Sequence, residues 1–342
     1  MLRLLGLLIT VLSAIAVAVV TWPQFFKLEQ TFPFAQIVSV RGVVALALVA
    51  VALLALLLSL AKPLRGFAAS IAIIAVLGAG ANAAILGLRG LGSDGLPAET
   101  DTSLRVMTWN TAGEATPGDT IAQTAVSMDA DIVALPETSE AVGERVAVAM
   151  RDLGKPMWVL HVNFHADVVD GPQAWETTVL VSPDLGEYSV IESSEDGSSN
   201  TGTLPSAVVM PVNGTGPIIV AVHAVAPRPA DMTSWVSDLK WISDQCSSDQ
   251  TILLGDFNAT TDHMAEYGYK GGTMGRCTDA AIATGNGAIG TWPTDVPALA
   301  GAPIDHVMTA SGWHATGSVV LTGLDGSGSD HRPLVVQLEP AK

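Results

Sequence analysis

The chain has 342 residues, of which 49% are hydrophobic and only 14% are charged, which is too apolar for a wholly soluble protein. Its formal net charge is −17, but this charge is unevenly distributed. Residues 1–92 hold six basic residues and one acid, whereas residues 93–342 carry a net charge of −22. The composition therefore excludes one uniform globular unit and divides the chain into an apolar front and an acidic back.

The front part contains three long apolar runs, at residues 4–21, 43–61 and 67–88. Each is long enough to cross a hydrocarbon core of about 30 Å as a helix. The sequence thus predicts a membrane anchor over residues 1–92 with three transmembrane helices. A cleaved signal peptide is the alternative for the first run, but two further runs follow at once and favour retention. Five aromatic residues, typical of a membrane interface, fill the first connection: Trp22, Phe25, Phe26, Phe32 and Phe34.

The basic residues of the front predict its orientation. Arg3 precedes the first run, and Lys62 and Arg65 lie between the second and third, so the positive-inside rule places these ends in the cytoplasm. Arg41 and Arg89 fall on the opposite side and weigh against this orientation. We expect an integral protein of the cell membrane whose back part is extracytoplasmic.

Residues 93–103 are polar and form a predicted linker, and residues 104–342 form a predicted single domain. Short runs rich in Val, Ile and Leu predict strands at 104–109, 131–135, 177–181, 207–212, 217–222, 251–254 and 334–338. Helical spacing predicts helices at 119–129, 139–153 and 231–245. Strands joined by hairpins as well as crossovers favour an α/β layered sandwich over a doubly wound parallel sheet.

The back part contains both cysteines of the chain, Cys246 and Cys277, whose separation matches no zinc-binding motif. If this part is exported, the even number favours one disulfide, and two free buried thiols are the alternative.

Five apolar stretches end in a polar group, and a sixth polar group precedes the last predicted strand. These groups are Asn110, Glu137, His223, Asp256 with Asn258, Asp305 with His306, and Asp330 with His331. Each has an ordinary explanation by itself, such as a helix cap or a turn. Together they predict a site at one edge of a sheet, where open α/β folds place their ligands.

These side chains suit the hydrolysis of a phosphoester. Oxygen ligands such as Glu137, Asp330 and Asn110 fit Mg²⁺ or Mn²⁺, whereas the chain lacks the closely spaced histidines typical of zinc hydrolases. Asp305 with His331 is the best candidate for a carboxylate–imidazole pair, in which the carboxylate orients the imidazole and supports its charge.

The order Trp-Asn, Pro-Glu, Val-His, Gly-Asp-Phe-Asn, Ile-Asp-His and Ser-Asp-His-Arg-Pro resembles the endonuclease/exonuclease/phosphatase superfamily, which includes DNase I-like nucleases, over residues 104–338. The resemblance implies a four-layer sandwich of two mixed β-sheets flanked by helices. It also implies a metal-dependent phosphoesterase that directs an activated water in line at phosphorus. The implied metal residues are Asn110, Glu137 and Asp330, and the implied catalytic residues are His223, Asp256, Asn258, Asp305 and His331.

Within that resemblance, Asp256 and Asn258 match a pair that orients the nucleophile and holds the scissile phosphate. His223 matches an imidazole that contacts phosphate or assists the leaving group. Position 136 is Pro where the family often has Gln, which does not affect metal binding. Ala112 replaces an Asp of the abasic-site endonucleases, and His223 stands where those enzymes use a Tyr-containing motif, so abasic-site repair is not expected.

The sequence leaves three functions open. The first is a phosphodiesterase or phosphatase that acts on lipid headgroups or small phosphorylated molecules. The second is an exported DNase I-like endonuclease, and the third is an inactive binding domain of the same fold. A net charge of −22 disfavours a nucleic acid partner, because binding many phosphates needs Lys and Arg. Only Arg228 and Arg332 lie close in sequence to the predicted site.

Overall fold

The computed structural model describes residues 2–92, 95–164, 171–191 and 200–341. The front part forms four helices: α1 (Leu2–Thr21), α2 (Phe34–Ser39), α3 (Arg41–Leu58) and α4 (Arg65–Arg89). Helices α1, α3 and α4 are long and apolar enough to cross a membrane. The three predicted spans are therefore confirmed as helices of membrane-spanning length and composition. The side chain of Arg3 and the linker residues 93 and 94 lie outside the described residues.

The back part contains two six-stranded mixed sheets. Strands of the first are β1 (Leu104–Thr108), β2 (Ile132–Pro136), β3 (Trp158–Asn163), β4 (Glu176–Val181), β11 (Trp313–Val320) and β12 (Leu334–Pro340). Strands of the second are β5 (Tyr188–Val190), β6 (Ala207–Pro211), β7 (Ile218–His223), β8 (Thr251–Asp256), β9 (Thr278–Asp279) and β10 (Asp305–Thr309). The orders are β11-β12-β1-β2-β4-β3 and β5-β6-β7-β8-β10-β9. Only β1–β2 and β7–β8 pair in parallel among the described strands.

Helices cover the outer face of each sheet. Helices α5 (Gly118–Ser127) and α6 (Glu140–Asp152) pack on the first sheet, and α7 (Met232–Gln245) packs on the second. A short helix, α8 (Ala280–Ala283), precedes β10. Between the sheets lies an aliphatic core that includes Val106, Ile132, Val179, Ile219, Leu254 and Val336. This arrangement confirms the predicted four-layer α/β sandwich.

The structure adds strands that the sequence did not predict, and it lengthens one that it did. Strands β3 and β11 are partly exposed at the edges of the first sheet, so their residues lack a continuous apolar run. Strand β8 continues through Gly255-Asp256, although that dipeptide is typical of a loop. It remains extended because β7 and β10 pair with it on both sides. The strand end, and with it Asp256, is thus fixed by tertiary pairing.

The two cysteines form a disulfide. Cys246 follows α7, Cys277 precedes β9, their Cα atoms are 5.8 Å apart, and both side chains are buried. The predicted bridge is therefore confirmed over the alternative of two free thiols. A disulfide indicates an oxidising compartment.

We expect loss of this bridge to destabilise the domain by about 2–4 kcal/mol, because it closes a 31-residue separation. Non-reducing peptide mapping by mass spectrometry should recover the Cys246–Cys277 cross-link from protein made in its membrane. Denaturant unfolding of the double Cys→Ser variant measures its contribution. Two alkylatable thiols in the folded native protein would contradict the assignment.

Candidate active site

The strand directions bring the predicted residues to one rim of both sheets. Strands β1 and β2 are parallel, as are β7 and β8, so each pair ends on the same side. Strands β12 and β10 run antiparallel to β1 and β8 and therefore begin there. Asp256 is the register partner of both His223 and Asp305, which places three of the residues side by side.

Asn110 joins two carboxylates across the gap between the sheets. Its Nδ2 donates to Glu137 Oε1 at 3.0 Å and to Asp256 Oδ2 at 3.1 Å, while its Oδ1 accepts from the Ala112 backbone N–H at 3.0 Å. Asn110 is almost fully buried, so both hydrogen bonds are shielded from water. The amide therefore fixes the separation of the Glu137 and Asp256 carboxylates.

Glu137 is ionised and partly open to solvent. Burial opposes its charge, but the nearby His223 imidazole and the hydrogen bond from the Asn110 amide outweigh it and lower the pKa to about 2. Its side chain is 29% exposed. Its backbone has φ 57°, a left-handed conformation that is uncommon for a residue with a side chain and is frequent at functional sites.

Asp256 is held on both oxygens. Its Oδ1 accepts the Asn258 backbone N–H at 2.8 Å, and its Oδ2 lies 3.2 Å from Asn258 Nδ2. The same amide nitrogen donates to the Ala224 carbonyl at 2.9 Å. Asn258, also left-handed at φ 46°, thus orients Asp256. Burial raises the pKa of Asp256, and the nearby charge of Asp305 raises it further against the opposing effect of His331.

Asp305 and His331 form a buried carboxylate–imidazole pair, with His331 Nδ1 at 2.8 Å from Asp305 Oδ2. The other ring nitrogen, Nε2, faces Asp256 Oδ2 at 3.8 Å and Asp330 Oδ1 at 4.0 Å. Burial lowers the pKa of His331, but the attraction of Asp305 and Asp256 is stronger in sum and raises it above the ordinary value. The carboxylates around the ring therefore favour its protonated form.

His223 and Asp330 complete the set. His223 Nε2 lies 3.6 Å from Glu137 Oε1, beyond hydrogen-bond range, and neither ring nitrogen has a hydrogen-bond partner among the described residues although the ring is buried. Asp330 is 58% exposed, and its Oδ2 accepts from Trp292 Nε1 at 2.9 Å. A buried imidazole without a partner is costly, which suits a site that receives a polar ligand.

All eight predicted residues thus form one set connected by contacts of 4.0 Å or less. Two neighbours in the motifs turn away from it. His306 points to the other face of β10, where its Nδ1 contacts Asp279 at 2.6 Å. Arg332 is buried, donates to Asp325 and to four backbone carbonyls, and so is not available to a substrate phosphate.

Supporting residues around the site were not predicted from the sequence. Ser329 Oγ donates to the Asn110 carbonyl at 2.6 Å and accepts the His331 backbone N–H at 2.9 Å. Trp109 Nε1 donates to the His331 carbonyl at 2.9 Å. The Ser329–Asn110 and Trp109–His331 hydrogen bonds attach the segment before β12 to the end of β1. The only sequence signal for them was their position inside the Trp-Asn and Ser-Asp-His motifs.

The side chains fit a divalent cation. Asp256, Asp305 and His331 offer ligand atoms that all lie within 4.8 Å of one another. However, His331 Nδ1 is already paired with Asp305, whereas the Glu137 carboxylate is ionised and partly accessible. Asp305 Oδ1 is buried and has no hydrogen-bond donor among the described residues. This oxygen-rich set is of the kind that binds Mg²⁺ or Mn²⁺.

Comparison with solved structures shows the same fold in bacterial proteins. An endonuclease/exonuclease/phosphatase from Beutenbergia cavernae DSM 12333 matches with a TM-score of 0.54 and 19% identity, covering 70% of this chain and 72% of that one. A family protein from Bacteroides thetaiotaomicron matches with a TM-score of 0.52 and 17% identity, covering 71% and 100%. A family protein from Leptotrichia buccalis C-1013-b gives 0.51 and 14%, covering 69% and 99%.

No curated protein matches the chain in sequence. The model of the Endonuclease/Exonuclease/phosphatase family, in contrast, matches residues 107–331, which include all eight residues of the site. With this match over most of the chain, and with the two-sheet architecture, the chain belongs to the endonuclease/exonuclease/phosphatase family.

Proposed function

We propose that this protein is a divalent-metal-dependent phosphoester hydrolase that acts outside the cytoplasm. The observation that carries the proposal is the convergence of two complementary groups at one rim. One is the amide and carboxylate group of Asn110, Glu137 and Asp256, and the other is the imidazole group of His223 and His331. The retention of every group argues against an inactive binding domain.

Hydrolysis requires a water oxygen to bond to phosphorus as the bond from phosphorus to the leaving oxygen breaks. A bound Mg²⁺ or Mn²⁺, held by Asn110, Glu137 and Asp330, would neutralise charge on the phosphoryl oxygens. Asp256, oriented by Asn258, is placed to hold the attacking water and accept its proton. His331, supported by Asp305, stabilises the negative charge on the phosphoryl oxygens in the transition state. His223, with no internal partner, contacts the phosphate or protonates the leaving oxygen.

The charge of the domain favours a substrate other than nucleic acid. The Arg332 guanidinium is already bonded to Asp325 and to backbone carbonyls. Arg228 is then the remaining basic residue close in sequence to the site, and it is exposed. A domain with a net charge of −22 repels a long polyanion. We therefore place the substrate among lipid headgroups and small phosphorylated molecules, with an exported endonuclease as the alternative.

We expect the purified full chain to hydrolyse a phosphoester with Mg²⁺ or Mn²⁺ and to lose this activity in excess chelator. A panel of phospholipids, sphingomyelin, phosphoinositides, plasmid DNA, RNA and a bis-aryl phosphodiester measures the preference. Restoration of activity by added Mg²⁺ is the control for chelator damage. Preferred cleavage of plasmid DNA would support the nuclease instead, and equal hydrolysis in chelator would exclude the metal-dependent mechanism.

The extracytoplasmic location has its own test. It is supported by the disulfide and by two bases, Lys62 between α3 and α4 and Arg65 at the start of α4. Alkaline phosphatase fused after Gly95 should be active. A green fluorescent protein fused at the same residue should be dark, because it does not fluoresce when it is exported through the Sec pathway. The reverse pattern would place the catalytic domain in the cytoplasm.

A further inference from the structure

The rim that carries the active site also contacts the membrane anchor. The segment after β7 meets α2, where Gln36 Nε2 donates to the Pro227 carbonyl. The segment after β8 meets the same helix, where His263 Nε2 lies 3.0 Å from the Ala35 carbonyl. The loop before β10 packs on α3 so closely that a Cβ on Gly42 would lie 1.9 Å from the carbonyl oxygen of Leu299.

Two arginines of the anchor form ion pairs with Asp262 of the domain. Arg41, the first residue of α3, donates to both carboxylate oxygens at 2.8 and 2.7 Å, and Arg89, the last residue of α4, does so at 2.7 Å twice. The side chain of Asp262 is only 3% exposed. Burial would raise its pKa, but the two guanidinium groups outweigh this and hold the pKa well below the usual range. We call these three residues the Asp262 lock.

The lock lies close to the catalytic groups in the chain. Asp262 follows Asp256 by six residues and Asn258 by four, so the ends of two apolar helices are bonded to the active-site loop itself. Arg41 also donates to the Thr21 carbonyl at 3.0 Å and to Asn82 Oδ1 at 2.8 Å, which connects the end of α1 and the body of α4. A buried, bidentate ion pair of this kind fixes one orientation.

Exposed apolar side chains surround the contact. On the anchor, Trp22, Phe25 and Phe32 are exposed at the domain-facing end of the helices. On the domain, Leu299 is exposed beside α3, and Trp292 is exposed while it donates to Asp330 of the site. Tryptophan and phenylalanine at this level of an apolar helix bundle are typical of a membrane surface.

We propose that the Asp262 lock seats the active-site rim on the outer surface of the bilayer, and that the substrate is the phosphoester of a membrane-embedded lipid. This inference rests on the proposed phosphoester hydrolysis and narrows its substrate class. A lipid headgroup reaches the rim by diffusion within the membrane plane. Its effective concentration at the active site is therefore higher than that of the same phosphoester free in solution.

A measurement of depth tests the placement without any activity. The two native cysteines are bridged, so an introduced cysteine is the one free thiol of the chain for a spin label. Leu299→Cys is in the loop that packs on α3, before β10, and Val212→Cys is in the turn before β7. That turn is at the end of β7 opposite His223, and the six residues of the strand span about 20 Å. In nanodiscs, a nickel-chelating lipid should relax the label at position 299 strongly and the label at position 212 weakly. Equal relaxation at both positions would overturn the placement.

Matched substrates test the chemistry. The full chain is placed in nanodiscs of phosphatidylcholine, phosphatidylethanolamine and phosphatidylglycerol. The same chain is also given the deacylated counterparts of these lipids in solution, and ³¹P NMR measures the rate of phosphoester hydrolysis in both cases. We expect the lipid to be hydrolysed at least about 10²-fold faster than its deacylated form. Equal rates would overturn the inference and leave the proposed hydrolase intact, whereas no hydrolysis of any phosphoester would overturn the hydrolase itself.

The lock is tested by a variant that leaves no buried charge unpaired, Arg41→Gln with Arg89→Gln and Asp262→Asn. We expect the ratio of lipid to deacylated rates to fall by about tenfold, because the rim no longer holds its position at the bilayer. Lys27→Ala is the matched control, since it removes an exposed ion pair with Glu266 across the same contact. A lock variant with the wild-type rate ratio, and with its Cys246–Cys277 bridge formed, would overturn the role of the lock.

Discussion

Replacement of His331 with alanine is expected to lower turnover by roughly 10²–10³-fold, the usual loss when one group that stabilises transition-state charge is removed. The imidazole is buried and directed at Asp256 through Nε2, and Asp305 and Asp256 outweigh the effect of burial and raise its pKa. Steady-state kinetics with the best substrate of the panel measure the loss. A fully active His331→Ala enzyme would refute the mechanism whatever the fold.

The partner of His331 gives a finer test of the same step. Asp305→Asn should leave the fold intact and slow the reaction, because the imidazole loses the carboxylate that supports its charge. The matched control is Asp279→Asn, which removes the carboxylate of the other buried Asp–His pair, at His306. That variant should lose thermal stability and keep the turnover of its folded fraction. If both variants slowed equally, the Asp305 pair would have no special catalytic role.

The second large effect is expected at Glu137. Its ionised carboxylate is the accessible member of the oxygen set, so Glu137→Ala should raise the Mg²⁺ concentration needed for half-maximal activity by at least about 10–100-fold and lower the maximal rate. Metal titration of activity, and calorimetric titration with Mg²⁺ in the absence of substrate, measure the change. Glu140→Gln, three residues later on the exposed face of α6, is the control. An unchanged metal requirement would assign the metal to other residues, such as Asp256 and Asp305.

The backbone explains why Glu137 and Asn258 stand where they do. Both follow a buried strand with positive φ, at 57° and 46°, and both side chains are thereby turned toward Asn110 and Asp256. Such conformations cost about 1–3 kcal/mol and persist where the surrounding contacts enforce them. For Asn258 those contacts are three hydrogen bonds to Asp256 and Ala224. Strain at these two positions is consistent with a site whose geometry is set before a ligand arrives.

The sequence by itself determined the division of the chain and the membership of the site. Apolar runs of 18 residues or more are long enough to cross a bilayer as helices, and a strand that ends in a polar residue leaves that residue at a sheet edge. The α/β layered fold, the three anchor helices and the disulfide could therefore be predicted. The four-layer arrangement and the choice of the eight residues came from the resemblance of the motifs to the family.

Only the tertiary structure decided which neighbour of each motif joins the site. His306 stands beside Asp305 in the Ile-Asp-His motif, but alternation along β10 sends it to Asp279 on the other face. The predicted Asp305–His331 pair forms between residues that are 26 positions apart along the chain. Arg41 and Arg89 weighed against the predicted orientation as charges on the outer side of the anchor. In the structure both form ion pairs with the same carboxylate, that of Asp262, which is 173 or more residues away along the chain. A charge and its distant partner meet only when strands and helices have packed, so local pattern carries no record of the pairing.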